Sequence, residues 1–122
     1  MHLSRGEFEA VVGEALESLP KRFADLVDNV VITVEEEPTD DDFESIDDEV
    51  DDDSELLGIY RGIALTQRTH DMLPLLPDQI AIFRGPILRV TRTREQAVRQ
   101  VRETVIHELG HYFGLDDHDM AY

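Results

Sequence analysis

Near the end of this 122-residue chain the stretch Thr104 to Met120 reads TVIHELGHYFGLDDHDM, which sets His107, Glu108 and His111 in an HExxH arrangement. Two imidazoles four residues apart lie one turn above each other if the segment is helical, and can close on one divalent ion. Neutral nitrogen ligands suit zinc, and a carboxylate beside the first histidine reaches the metal's water without being a ligand itself. Such a set performs hydrolysis at a carbonyl. The metal lowers the pKa of its water towards about 7 and polarises the carbonyl oxygen, while Glu108 takes the water's proton and passes it to the leaving amine. The competing reading is two surface histidines on a helix, with a glutamate between them because glutamate is a good helix former.

The element that must carry these residues is a helix from Arg94 to Phe113. At about 100° per residue, Val98, Val101, Val105, Leu109 and Tyr112 fall within about 80°, less than a quarter of a turn, and form its core face. His107 and His111 then stand nearly opposite, with Gln100 and Thr104 for neighbours and Glu108 on the flank between them and the apolar stripe. Thr93, with Gln96 three positions on, caps the helix start. Gly114 can take the left-handed conformation that ends it, an ordinary helix C-cap that is compatible with a metal-specific role. In the extended form of the motif, HExxHxxGxx followed by His or Asp, the third ligand comes ten positions after the first histidine. Here that residue is Asp117, with Asp116, His118 and Asp119 in the same turn and His118 as the rival ligand.

Upstream, Ser4 followed by Glu7 reads as a capping box, and Phe8, Val11, Val12, Ala15, Leu16 and Leu19 follow at helical spacing. Pro20 breaks this first helix, and Lys21 to Val27 makes a short second turn or helix before a strand. Val30 to Glu35, VVITVE, is a β-branched strand. Leu57 to Leu65 is a second, with Gly58 and Gly62 as places where it bends. Gln79 to Arg84 and Ile87 to Val90 read as strand segments on either side of a bulge or turn at Gly85-Pro86. Between them, Thr66 to Asp78 is a connection whose His70 is left out of the site. The stretch Glu36 to Glu55 holds eleven acids and no base from Asp40 onward. Like charges at that density predict a solvated, mobile loop, which its isolated Phe43, Ile46 and Val50 would dock lightly onto the body. Calcium is a poor fit, because no window supplies an EF-hand's spaced acids with glycine at the sixth position.

HELGHYFGLDD, preceded by LLGIYRGIALTQR and LPDQIAIFRGPILR, resembles the small bacterial zincin-like proteins, or mini-zincins, over most of the chain from Val30 to Asp119. The resemblance implies a minimal metallopeptidase-like α+β scaffold, zinc as the cofactor, His107 and His111 as metal ligands and Glu108 as the base. It also suggests Gln79 to Val90 as the edge strand along which an extended peptide pairs. It names no substrate.

Composition bounds the rest. The length is that of one domain, 1–122, with a modest core. There is no cysteine, so neither a disulfide nor a thiolate zinc site is available. No apolar run suits a signal peptide or a membrane span, which makes the cytoplasm the default location; the sequence does not give the oligomeric state, for which a monomer is the default. A net charge of −17 argues against nucleic-acid and anionic-membrane partners. Outside Asp40 to Glu55 the chain carries 17 acids against 11 bases, so its body is only mildly acidic. Six of those bases lie between Arg84 and Arg102. That band is a solvated face, or a landing site for the acidic stretch, rather than a ligand site.

The expected fold is therefore α+β: a small twisted sheet of three or four strands, with the N-terminal helix and the C-terminal HExxH helix on one face. The expected activity is zinc-dependent hydrolysis of a peptide or protein. Because few residues follow Gly114, only one wall of a cleft is accounted for, and a partner or second copy would complete it. The alternatives are a catalytically silent metal-binding interaction or regulatory module on the same scaffold, and a hydrolase of another amide. Glu108 separates them, since a purely structural zinc site needs no base.

Overall fold

The computed structural model describes residues 2–44, 55–62 and 78–113, apart from the side chains of residues 44 and 111–113. Helix α1, Arg5–Glu17, opens on a reciprocal capping box. The Glu7 N–H donates to the Ser4 hydroxyl at 3.1 Å, and the Ser4 N–H donates to the Glu7 carboxylate at 3.1 Å. These bonds also hold the Glu7 carboxyl below the usual carboxylate range, the Ser4 backbone contributing most. Phe8, Val11, Val12 and Ala15 repeat at helical spacing and are all buried. Pro20 then starts α2, Lys21–Val27, because its fixed φ suits a helix start where no N–H partner is needed. Phe23 anchors α2 in the core.

Among the described residues three strands follow, β1 (Val31–Glu35), β2 (Gly58–Arg61) and β3 (Gln79–Phe83), in the spatial order β1-β3-β2. β3 is the centre. It runs parallel to β1 with Thr33 opposite Ala81, and antiparallel to β2 with Tyr60 opposite Ile80. A central strand is covered on both faces, which explains why Ile80, Ala81, Ile82 and Phe83 form an unbroken apolar run instead of alternating with polar residues. Ile80 and Ile82 face the main core with α1, α2 and the long helix. Ala81 and Phe83 face the other way, against Leu56 and Ile59.

The long helix, α5, covers Arg94–Phe113, the span expected from sequence. The Gln96 N–H donates to the Thr93 hydroxyl at 3.1 Å and the Arg92 N–H to the Gln96 side chain at 2.8 Å. Val101, Val105 and Leu109 are fully buried against α1 and the sheet. The buried arc is wider than the valine stripe, because α5 packs on α1 and also lies under β2. Ala97, Ile106 and Thr104 are buried as well.

Two expectations need correction. Ile87 to Val90 is not a strand: Arg84–Val90 forms α4, directly after β3. Pro86 sits in its first turn, where the missing N–H costs nothing, so Gly85-Pro86 opens a helix instead of interrupting a sheet. The Thr91 hydroxyl closes α4 by donating to the Ile87 carbonyl at 2.7 Å. As a result Gln79 to Val90 offers no free edge to a peptide, since β3 is flanked on both sides.

The acidic stretch is also not solvated throughout. Asp40–Glu44 forms a short helix, α3, and Asp42 is 5% exposed. Thr39 and Asp42 build a second capping box, with the Thr39 N–H donating to the Asp42 carboxylate at 2.9 Å and the Asp42 N–H to the Thr39 hydroxyl at 3.2 Å. The Asp42 carboxylate accepts from Arg61 Nε at 3.1 Å and Nη2 at 2.9 Å, and Glu35 accepts from the same guanidinium at 2.5 and 2.9 Å. Burial pushes the Asp42 carboxyl up, but the bonds from Arg61 and Thr39 together outweigh it and hold it below the usual range. Nearby, Arg89 joins both ends of the stretch, pairing with Glu37 at 2.7 Å and with Glu55. Arg84 pairs with Glu36 at 2.8 Å. Part of the basic band is thus a landing site for the chain's own acids. Phe43 is exposed, while Ile46 and Val50 lie outside the described residues.

Candidate active site

α5 is helical without interruption through His107, Glu108 and His111, so the two histidine positions stand one turn apart, about 6 Å along the axis. His107 is exposed and Glu108 is half-buried beside it. The side chain of His111, and Gly114, Asp117 and His118 entirely, lie outside the described residues, as does His70. Among the described residues no group of three or more His, Asp or Glu side chains could hold a metal. The donor chemistry of the helix still fits zinc: an exposed imidazole at His107, a second histidine one turn on, and no thiolate in the chain.

Glu108 reaches the sheet. Its carboxylate accepts from the backbone N–H of Tyr60 at 2.9 Å. That N–H does not belong to the β2–β3 ladder. The Phe83 N–H donates to the Leu57 carbonyl at 2.9 Å, which makes this pair hydrogen-bonded. Antiparallel pairs alternate, so Ile59 and Arg61 also point their backbone groups inward to β3, while Gly58 and Tyr60 point theirs out of the sheet. Among the described residues β2 is thus the edge strand next to the helix, and the base sits on its outer rim.

The approach of helix and strand depends on Gly58. A Cβ there would lie 2.7 Å from the Thr104 methyl and 2.9 Å from the Ala81 carbonyl oxygen. Thr104 and Glu108 are one helical turn apart, and Gly58 and Tyr60 are two strand residues apart. Each step is about 6 to 7 Å, so strand and helix run side by side in matched increments. Gly58 meets Thr104 and Tyr60 meets Glu108.

Tyr60 is tied further along as well. Its hydroxyl lies 3.3 Å from the Asp78 carboxylate, and the Asp78 carbonyl accepts from the Val31 N–H at 2.9 Å. Gly62 leaves room for that carboxylate, because a Cβ there would sit 2.3 Å from the Asp78 oxygen. Sequence reasoning missed Gly58, Tyr60 and Asp78 as neighbours of the site. The available signal was the glycine inside a β-branched strand, which marks close backbone approach as well as bending.

The model of the family described as zincin-like metallopeptidase matches residues 27–122. Among solved structures, a conserved hypothetical protein (TTHA0227) from T. thermophilus superposes with a TM-score of 0.58 at 22% identity, covering 91% of this chain and 94% of that chain. At that identity the likeness concerns the fold alone. A comparison with curated proteins finds no match. The family match takes in β1, the edge strand β2, the central strand and the whole of the HExxH helix, and on that ground the chain belongs to the zincin-like metallopeptidases.

Proposed function

We propose that the protein is a zinc-dependent peptidase in which His107 and His111 hold the metal, Asp117 completes the set with His118 as the alternative, and Glu108 is the general base. The observation that carries this reading is the position of Glu108. A carboxylate next to an exposed histidine is held at the outer rim of an edge strand, where an extended peptide would lie.

Zinc, when bound, would supply Lewis-acid polarisation of the scissile carbonyl and acidify a water molecule. Glu108 accepts the proton from that water as its oxygen bonds to the carbonyl carbon. It then delivers the proton to the amide nitrogen as the C–N bond breaks, leaving a carboxylic acid and an amine. Gly58, through its N–H and carbonyl, offers backbone groups to an incoming strand. Pairing of this kind fixes orientation while tolerating many side chains.

The test is metal analysis of the purified protein beside its His107→Ala/His111→Ala double variant, with hydrolysis of a randomised peptide mixture measured for wild type and Glu108→Gln. About one zinc per chain, absent from the double variant, is expected. Glu108→Gln keeps the metal and loses hydrolysis, because the amide has the carboxylate's shape but takes no proton. Undiminished zinc in the double variant refutes the ligand assignment. Loss of zinc in Glu108→Gln makes Glu108 a ligand.

A further inference from the structure

We infer that Gly58 and the main-chain N–H of Tyr60 form the positioning device for the base: the missing side chain at Gly58 sets how closely β2 lies on α5, and that distance places Glu108. The inference rests on the peptidase reading for its catalytic meaning and on geometry alone for its structural part.

Three observations bear on it. The Tyr60 N–H faces away from the ladder, so its bond to Glu108 is not a by-product of sheet pairing. A carboxylate on a helix surface has several rotamers, and one strong donor at 2.9 Å selects among them. Finally, Gly58 has a neighbour on each side. The Thr104 methyl belongs to the helix and the Ala81 carbonyl to the central strand, so a Cβ at Gly58 has no free direction in which to settle. The Ala81 carbonyl is fixed by the sheet, which leaves α5 as the element that gives way. Thr104 is also held, since its hydroxyl donates to the Gln100 carbonyl at 2.8 Å. A displaced Thr104 therefore carries its helical turn with it, and Glu108 is on the next turn.

Gly58→Ala is expected to separate Glu108 from the Tyr60 N–H while the ladder bonds of Ile59 and Arg61 persist. Amide exchange in the full chain reads this directly. In wild type the Tyr60 amide is protected. In Glu108→Ala, which removes the acceptor, and in Gly58→Ala, its exchange rises at least about ten-fold while the Ile59 and Arg61 amides change little. Gly58→Ala/Thr104→Ser removes the helix methyl and keeps the hydroxyl, and it recovers part of the protection.

With zinc loaded and the randomised peptide mixture as probe, Gly58→Ala lowers kcat by about 10²-fold, the order expected from misplacing a reacting group by about 1 Å. KM and zinc affinity stay near wild type, a split that a general loss of structure does not produce.

Wild-type exchange at Tyr60 in Glu108→Ala overturns the proposal, as does wild-type exchange and kcat in a folded Gly58→Ala. If Gly58→Ala does not fold, the double variant is measured in its place. Failure of both to fold makes Gly58 a residue of the fold alone and also overturns it. If wild type cleaves none of the peptides, the peptidase reading is what fails, and the exchange data still decide the positioning.

Discussion

Asp42→Ala should destabilise the protein by about 2 kcal/mol, although the sequence places this residue in a run of solvated acids. The carboxylate accepts two bonds from Arg61 and one from the Thr39 N–H, at 2.9 to 3.1 Å, with a side chain only 7% exposed. Bonds to charged groups contribute about 1.5 to 3 kcal/mol each where solvent is excluded. The sum is smaller here because the Arg61 side chain is 31% exposed and keeps Glu35 as a partner after the substitution. About 2 kcal/mol corresponds to a drop in Tm of roughly 8 °C for a domain of this size. Thermal unfolding at pH 6 measures it, and a change of less than about 2 °C would refute the reasoning. The pH dependence adds a second check. Because the Asp42 carboxyl is held below its ordinary value, its contribution is complete above an unfolded-state pKa of about 3.9 and disappears as pH falls through the folded value. The gap between wild type and variant should therefore be full at pH 6 and close below about pH 4.

Arg89→Ala, by contrast, should cost no more than about 1 kcal/mol at low salt and less at 0.5 M, because its bonds to Glu37 and Glu55 lie in solvent; equal losses at both salt concentrations would contradict this. Replacing residues 45–54, which hold six acids and no base, by Gly/Ser of equal length should leave Tm the same or higher at low salt, as thermal unfolding would show. Ile82→Ala, in the fully buried centre of the sheet, should cost about 3 to 4 kcal/mol in denaturant titration. For the third ligand, Asp117→Ala should weaken zinc binding by about ten-fold or more while His118→Ala does not; the reverse order reassigns the site to His118.

Helices α1, α2 and α5 were legible because their signals are local. Ser4 with Glu7, Thr93 with Gln96 and the valine stripe of α5 each act within one or two turns, and α1 and α5 begin where they place them. The same kind of signal at Thr39 and Asp42 was obscured by the surrounding charge. Net repulsion is an average property, and a single carboxylate facing Arg61 escapes it. The order of strands was not legible, since it depends on which chain segments meet across some fifty residues. The apolar run from Ile80 to Phe83 was the available clue to a central strand, and reading it together with Ile87 to Val90 hid that clue. In the site, the residue types of HExxH announced Glu108 and the histidines. The partner of Glu108 is a backbone N–H, which has no side-chain identity to read.

β2 has only four residues, yet both of its faces and the Tyr60 N–H on its outer rim are committed: Gly58 and Tyr60 towards α5, Ile59 towards Phe83, and Arg61 to Asp42 and Glu35. Side chains alternate with a period of two, so inserting or deleting one residue between Leu57 and Gly62 would exchange every assignment at once. The guanidinium would turn into the apolar helix interface, and the donor that holds Glu108 would turn into the ladder. Single-residue length changes in this strand should therefore be far less tolerated than substitutions at Ile59, and two-residue changes should be tolerated better than one. In a library of insertions and deletions, survival across β2 would then oscillate with indel parity rather than decline steadily with indel size.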